Sequence, residues 1–296
     1  MSARLFVLDV YGVAHWLFHK NAAIPRDDAN GEPCEMLDAF DQWLLELLTR
    51  FEPTHVAACM EGSKNWRKDE ARGGAADYKS DRKPIDLRLK LQLKKLPALI
   101  ESLGVKCVRH DDHEADDVAA TLATLANEEL PVVLVSNDKD WSQLLGEHVT
   151  MFTPKPDTAG ETHLYDCAAW EAKTQIPPHR MPEWLALVGD SSDCVAGVEG
   201  WGKGTATNAI TQTRSWAELE RKARAGKLEK IRPKVQASLV EQLPAFTEAL
   251  RLVTLRYDAP ITETLADLEW VHPSEQATGE TRTGEAPATT SDEASL

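Results

Sequence analysis

The residues best suited to chemistry are Glu114, Asp116 and Asp117, three carboxylates within four positions. Glu114 and Asp117 are spaced i, i+3, so they share one face of a helix. The apolar run that follows contains no compensating cation, and it should pack the helix against a core. Crowded carboxylates repel one another unless a divalent ion lies between them, and hard oxygen ligands suit Mg²⁺ or Mn²⁺. The alternative is an acidic helix N-terminus, which the macrodipole favours.

Short apolar segments predict strands that also end in acidic residues. Asp9, Glu61 and Asp138 each follow such a segment, and Asp140 lies two residues further on. The predicted strands cover residues 4–10, 55–60, 105–108, 131–136 and 148–153. Long helical patterns alternate with them, so we expect a parallel sheet covered on both faces, with ligands at the carboxyl ends of its strands. This shared edge favours a metal site over a set of solvated acidic loops.

The charge of the chain is distributed unevenly. Its 296 residues carry a net charge of −15, which argues on its face against nucleic acid as a partner. Residues 64–95 nevertheless hold eleven lysine and arginine side chains, so a polyanionic substrate is not excluded. The sequence contains no apolar run of membrane-spanning length and no signal peptide, and its five cysteines are widely spaced. These features predict a cytoplasmic protein with reduced thiols and no membrane partner.

The second half of the chain adds a further acidic pair and a glycine-rich turn. Asp190 and Asp193 follow a short helical pattern. The turn contains Gly197, Gly200, Gly202, Lys203 and Thr205. Such glycines allow a tight turn between two helices and let backbone N–H groups approach a phosphate, although a flexible loop is the simpler alternative. A longer helix is predicted over residues 234–257, and the polar composition of residues 272–296 predicts a disordered tail.

In their order and approximate spacing, several blocks of this sequence resemble those of the 5′-nuclease family. This family contains flap endonucleases, phage 5′-exonucleases and the 5′-nuclease domain of bacterial DNA polymerase I. The matching blocks are residues 7–9, 65–82, 114–117, 136–140 and 187–193, followed by the glycine turn as a helix-hairpin-helix. The resemblance implies an α/β fold with a PIN-like, parallel or mixed sheet flanked by helices over residues 1–165. It also implies a helical arch at about 64–95 and a helical subdomain over 166–260.

The resemblance assigns roles to individual residues. The metal-binding carboxylates would be Asp9, Glu114, Asp116, Asp117, Asp138, Asp140, Asp190 and Asp193, with Glu61 where the family usually has aspartate. Lys79 and Arg82 match basic residues that contact the scissile phosphate, and Arg67, which lies nearby on the same segment, is assigned with them to the catalytic set. Tyr78 is expected either to stack on a terminal base or to be buried in the arch. The hairpin would grip duplex DNA and, as in the family, coordinate K⁺.

The expected function is therefore a metal-dependent, structure-specific 5′-nuclease acting on DNA with a 5′ end or 5′ flap. Two or more Mg²⁺ or Mn²⁺ ions would activate water and stabilise the leaving oxygen. Lys79 and Arg82 would neutralise charge on the phosphate as the bond breaks. No polymerase segment follows in the sequence, so we expect a free-standing, monomeric nuclease.

Three alternatives remain open from the sequence. The first is a non-catalytic relative that binds branched DNA, and the second is an RNA-cleaving enzyme of the same fold. The third is a haloacid-dehalogenase-type phosphatase, because residues 8–12 resemble the nucleophile motif of that family. That motif usually continues with Thr or Ser, whereas Val13 stands here, and the phosphatase interpretation leaves the glycine turn and the basic segment unexplained.

Overall fold

A computed structural model describes residues 3–21, 24–69, 75, 77–126 and 130–271. Within these residues, six strands form one sheet in the order β3-β2-β1-β4-β5-β6. The strands are β1 (Leu5–Asp9), β2 (His55–Cys59), β3 (Lys106–Val108), β4 (Val132–Val135), β5 (Val149–Thr153) and β6 (His163–Tyr165). The predicted tail, residues 272–296, lies outside the described residues.

Strand β1 lies at the centre of the sheet and is buried along its whole length. Leu5 aligns with His55 on one side and with Val132 on the other, and both pairings are parallel. Alternate side chains of β1 enter different cores, because successive residues of a strand point to opposite faces. Leu5 and Val7 belong to the core on one face, whereas Phe6 and Leu8 belong to the core on the other.

Strand β6 is the element of the sheet that the sequence did not predict. It pairs antiparallel with β5, so the sheet is mixed rather than purely parallel. The strand has three residues, and Leu164 in its middle is 58% exposed. A segment this short shows neither a buried apolar run nor a clear alternation of apolar and polar residues, which explains why it was missed.

Four helices accompany strands β1 to β4 along the chain. They are α1 (Val10–Asn21), α2 (Glu35–Phe51), α3 (Leu87–Ser102) and α4 (Ala115–Ala126). The predicted helices at 33–50 and 85–103 correspond to α2 and α3, and Pro97 lies inside α3. Helix α3 begins where Asp86 caps it by accepting a hydrogen bond from the Arg88 N–H.

The arch predicted over residues 64–95 is not helical between Lys68 and Leu87 where the structure describes it. A short 3₁₀ helix spans Trp66–Lys68, and residues 77–81 form a turn that continues as irregular chain to α3. Residues 70–74 and 76 lie outside the described residues. Asp86, with φ −49° and ψ 136°, is not helical and serves as the N-cap, so α3 begins at Leu87.

The C-terminal part of the chain is helical and has a core of its own. The helices of this core are α6 (Met181–Val188), α7 (Lys203–Thr211), α8 (Trp216–Arg224), α9 (Pro233–Glu241) and α10 (Leu243–Val253), whereas α5 (Cys167–Thr174) packs through Trp170 against the core of the sheet. The single long helix predicted over 234–257 is wrong, because α9 ends before Gln242 and α10 begins with Leu243 and Pro244. Proline is well suited to the first turn of a new helix and poorly suited to a helix interior.

Two further sequence predictions concern the membrane and the thiols. Among the described helices, none combines the length and apolarity needed to span a bilayer. All five cysteines are free, and Cys59 is buried in β2.

Candidate metal centre

A cleft of about 780 Å³ lies at the carboxyl ends of β1, β2 and β4. Its acidic lining residues are Asp9, Glu61, Glu114, Asp116 and Asp138, and its basic ones are Lys79, Arg82 and Lys139. The five acids come from four separate segments of the chain, since Glu114 and Asp116 lie together at the start of α4, and the parallel sheet brings these segments to one edge. The structure thus places these predicted residues together.

Asp9 is held rigidly at the end of β1. Its Oδ2 accepts a hydrogen bond of 2.6 Å from the Ser136 hydroxyl, and its Oδ1 accepts one of 2.8 Å from the Gly12 N–H. A Cβ atom at position 12 would lie 2.2 Å from Asp9 Oδ2, so only glycine fits beside this carboxylate. Burial raises the pKa of Asp9 to about 6, despite the two hydrogen bonds.

The other acids of the cleft repel one another. Burial, followed by the charge of Glu114, raises the pKa of Glu61 to about 7. The pKa of Asp116 is raised well above its ordinary value by burial and by the charges of Asp138 and Glu114. Asp116 Oδ1 accepts a hydrogen bond of 2.8 Å from the Trp141 indole, which fixes its orientation. The cleft therefore contains more negative charge than the protein itself compensates.

Lysine and arginine side chains of the 64–95 segment lie against this acidic edge. Lys79 forms an ion pair with Glu114, and the Arg82 guanidinium lies 2.6 Å from Asp193 Oδ1. Tyr78 is buried, and its hydroxyl contacts Glu114 Oε2 and Asp193 Oδ2 at 3.1 Å each. Tyr78 is therefore buried in the segment, which is the second of the two expectations, and its ring is not exposed as a stacking surface.

Asp117 and Arg67 do not line the cleft. Asp117 is fully buried, and its two oxygens each lie 2.7 Å from a terminal nitrogen of Arg67. Arg67 also donates to Glu114 Oε2 at 3.0 Å. Glu114 and Asp117 thus share one face, as their spacing predicted, but a guanidinium from the 64–95 segment lies between them where a divalent ion was expected.

Asp138 and Asp140 follow β4, and a lysine between them points to the helical subdomain. Burial, together with the charge of Asp138, raises the pKa of Asp140 to about 7. Lys139 Nζ lies 3.1 Å from Asp140 Oδ1 and 3.0 Å from Asp190 Oδ2. Asp190 and Asp193 are therefore joined to the cleft by Lys139, Lys79 and Arg82, although neither lines it.

The donor set of the cleft fits a hard divalent ion. Its acidic lining consists of carboxylates, whose oxygens are the ligands that Mg²⁺ and Mn²⁺ prefer. In the part of the chain that the structure describes, no three His, Cys, Asp or Glu side chains are already grouped around one ion position. The carboxylates are instead turned toward protein donors such as Ser136, Trp141 and Lys79, so metal binding requires them to converge.

The glycine turn joins α6 to α7 as a hairpin. A Cβ atom on Gly197 would lie 2.3 Å from the Val188 carbonyl oxygen, so this glycine permits close packing of the turn on α6. Gly202, Lys203 and Gly204 are exposed at the start of α7, and Thr205 is half-buried. The exposed N-terminus of a helix with a lysine beside it is suited to contact a phosphate group. Gly200 has φ +82°, which the turn requires.

Trp201 anchors the hairpin from within the core of the subdomain. Its side chain is almost fully buried, and the indole N–H donates to the Val235 carbonyl at 2.8 Å.

The structure adds Tyr11, Gly12, His15 and Asn137 to the lining of the cleft. The sequence did not predict these as site residues, although Gly12 lies within the motif at residues 8–12 and Asn137 within the block at residues 136–140.

Comparison with known proteins identifies relatives over most of the chain. The family model for the 5′-3′ exonuclease N-terminal resolvase-like domain matches residues 4–175, and the one for the C-terminal SAM fold matches residues 176–276. The flap endonuclease Xni of Shewanella amazonensis is 33% identical over 73% of this chain and 80% of its own. The 5′-3′ exonuclease of Bacillus subtilis is 30% identical over 88% of this chain and 83% of its own.

A longer relative and two solved structures complete the comparison. DNA polymerase I of Mycobacterium leprae is 30% identical over 88% of this chain, which spans only 28% of that protein. T5 5′-exonuclease, solved with bound zinc ions, has a TM-score of 0.69 at 19% identity and covers 87% of this chain and 91% of its own. Human GEN1 in complex with Holliday junction DNA has a TM-score of 0.57 at 16% identity, covering 92% and 65%. These two likenesses establish the fold.

Proposed function

The chain belongs to the 5′-3′ exonuclease family, and from that premise we propose that it is a metal-dependent, structure-specific 5′-nuclease acting on DNA. The observation that carries the proposal is that five acidic residues line one cleft at the edge of the sheet, with Lys79 and Arg82 beside them. The same membership removes the support for a haloacid-dehalogenase-type phosphatase. With DNA as its substrate, the protein would act in the cytoplasm.

Two Mg²⁺ or Mn²⁺ ions would be held chiefly by Asp9, Glu61, Glu114, Asp116 and Asp138. When bound, such ions activate water and stabilise the leaving oxygen. Asp140, Asp190 and Asp193 lie at the rim, where Lys139 and Arg82 link them to the cleft. We assign them to the support of the centre rather than to its middle.

Lys79 and Arg82 would transfer their contacts from protein to substrate. In the free protein they neutralise Glu114 and Asp193. A phosphate that enters the cleft offers a competing negative charge, and divalent ions on the carboxylates would release both side chains toward it. There they would stabilise the charge that develops as the phosphodiester bond breaks.

The helix-hairpin-helix of α6 and α7 would bind the duplex part of the substrate. Contacts from Gly202, Lys203 and backbone N–H groups to phosphates carry no base information, so binding would be independent of sequence. The same hairpin would also coordinate a K⁺ ion. The unpaired 5′ strand would run past the 64–95 segment toward Lys79 and Arg82.

A panel of DNA substrates tests this function. Duplexes with a 5′ flap, a nick or a gap, and single strands, should be incubated with Mg²⁺ or with a chelator, and each cut position mapped. We expect cuts near the junction of the flap substrate in Mg²⁺ and none with the chelator. A protein that binds the flap substrate without cutting it in Mg²⁺ or Mn²⁺ would instead be the non-catalytic relative. Faster cleavage of a matched RNA flap would favour the RNA-cleaving alternative.

A further inference from the structure

Arg67 and Asp117 form a buried ion pair directly behind the cleft. We infer that both are positioning residues, which orient Glu114 and join the 64–95 segment to α4 and to the end of α10, and that neither contacts metal or DNA. The inference rests on the proposed function, and it replaces the metal-ligand role predicted for Asp117 and the catalytic role predicted for Arg67.

The Asp117 carboxylate has no free face for a metal ion. Its Oδ1 accepts from Arg67 at 2.7 Å and from the Arg256 N–H at 2.9 Å. Its Oδ2 accepts from Arg67 at 2.7 Å and from the Trp66 indole at 3.0 Å. Two donors on each oxygen fill the hydrogen-bonding capacity of a carboxylate.

The Arg67 guanidinium likewise has all of its hydrogen-bond donors occupied by protein groups. Its Nε donates to the Leu252 carbonyl at 2.8 Å, and one terminal nitrogen serves both Asp117 and Glu114. The other terminal nitrogen serves Asp117 and, at 3.4 Å, the Thr254 carbonyl. These contacts use all five N–H groups of a guanidinium, and the side chain is 1% exposed. A phosphate could reach Arg67 only if this packing came apart.

The pair fixes one oxygen of Glu114 and leaves the other for the cleft. Glu114 Oε2 is held by Arg67 at 3.0 Å and by the Tyr78 hydroxyl at 3.1 Å, whereas Oε1 faces Lys79. Because Leu252 and Thr254 lie at the end of α10, the same guanidinium also sets the helical subdomain against the sheet domain. Loss of the pair should therefore misplace Glu114 without removing a ligand.

Metal binding by substituted proteins separates a positioning role from a ligand role. Mn²⁺ binding to the full chain, without DNA, should be counted by electron paramagnetic resonance for wild type, Asp116→Asn and Asp117→Asn. We expect Asp117→Asn to keep the wild-type number of ions and Asp116→Asn to lose at least one. If folded Asp117→Asn loses an ion as Asp116→Asn does, Asp117 is a ligand and the inference is wrong. This count does not depend on cleavage, so it stands apart from the test of nuclease activity.

A single substitution in this buried ion pair could unfold the protein, so the second test uses a double substitution. Arg67→Met with Asp117→Leu removes both charges together and leaves no unpaired ion in the interior. For this variant we expect the wild-type number of Mn²⁺ ions, an unchanged KM for a 5′-flap duplex and a kcat lowered by about a hundredfold, since Glu114 loses its anchor. A folded double variant with wild-type kcat would show that the pair only stabilises the fold, and loss of an ion would again assign a ligand role.

Discussion

Lowering the pH should weaken divalent-ion binding to the cleft, because buried carboxyl groups there, among them Asp9, Glu61 and Asp116, hold protons near neutrality. The pKa of Asp9 is raised to about 6, chiefly by burial, and that of Glu61 to about 7 by burial and by the charge of Glu114. Both groups must be ionised to bind Mg²⁺. At about pH 8 neither carries a proton, whereas at about pH 5.5 both do for most of the time.

The size of the effect follows from these two pKa values. At about pH 5.5, the pKa of Asp9 lies about half a unit above the pH and that of Glu61 about one and a half units above it. Removing both protons therefore costs about 3 kcal/mol, at 1.36 kcal/mol per unit. Mg²⁺ should therefore bind roughly a hundredfold more weakly at about pH 5.5 than at about pH 8. Glu61→Gln should remove the larger of these two contributions, because Glu61 has the higher of the two pKa values.

The same shifts determine the stability of the metal-free protein. Both folded-state pKa values lie above the ordinary values of 3.8 and 4.5, so between about pH 4 and 7 the folded chain binds more protons than the unfolded chain. The contribution of these groups to stability is thus present at low pH and is lost as the pH rises through that window. Added Mg²⁺ should offset this loss, so the gain in Tm on adding Mg²⁺ should grow with pH.

Isothermal titration calorimetry of Mg²⁺ binding at a series of pH values checks the predicted change in affinity. Parallel measurements of Tm with and without Mg²⁺ check the predicted change in stability. Uptake of each ion at about pH 6 should release protons, which titrations in buffers of different ionisation enthalpy will reveal. An affinity that does not change between about pH 5.5 and 8, with no proton release, would refute the assignment of Asp9 and Glu61 to the metal centre.

Three further predictions concern single residues. Gly12→Ala should push the Asp9 carboxylate aside, since the added methyl group would lie 2.2 Å from its oxygen, and Mn²⁺ titration should show weaker binding by a chain that still folds. Lys79→Ala should lower single-turnover cleavage by about a hundredfold and change DNA affinity far less, whereas Lys90→Ala, an exposed lysine of α3, should leave the rate unchanged. Trp201→Ala should lower the free energy of unfolding by about 3–5 kcal/mol in urea denaturation, and Trp201→Phe by less, because the indole fills the subdomain core and donates to Val235.

The sequence predicted the cleft well because its position follows from topology. Asp9 and Glu61 come at or just after buried apolar strands, and a parallel sheet brings such positions together whatever the loops do. The antiparallel strand β6 and the break between α9 and α10 were missed, since each depends on a few residues whose local pattern is weak. Patterns of period and spacing do not record such details.

The environment of Asp117 could not be predicted from its neighbours in the sequence. Its partner Arg67 is 50 residues away, and the backbone N–H of Arg256 is 139 residues away. Spacing correctly placed Glu114 and Asp117 on one face, but it could not show that an internal guanidinium would satisfy them. The choice between a metal ion and an arginine is made by tertiary packing.

Cleavage of a 5′-flap duplex by Asp116→Asn tests the central claim most directly. Asp111→Asn is the matched control, because Asp111 carries the same group at the surface, where it pairs with Arg109. The account predicts that in Mg²⁺ wild type and Asp111→Asn cut near the flap junction, whereas Asp116→Asn binds the same DNA and does not cut it. Cleavage by folded Asp116→Asn at the wild-type rate would contradict a metal centre built on this acidic cleft.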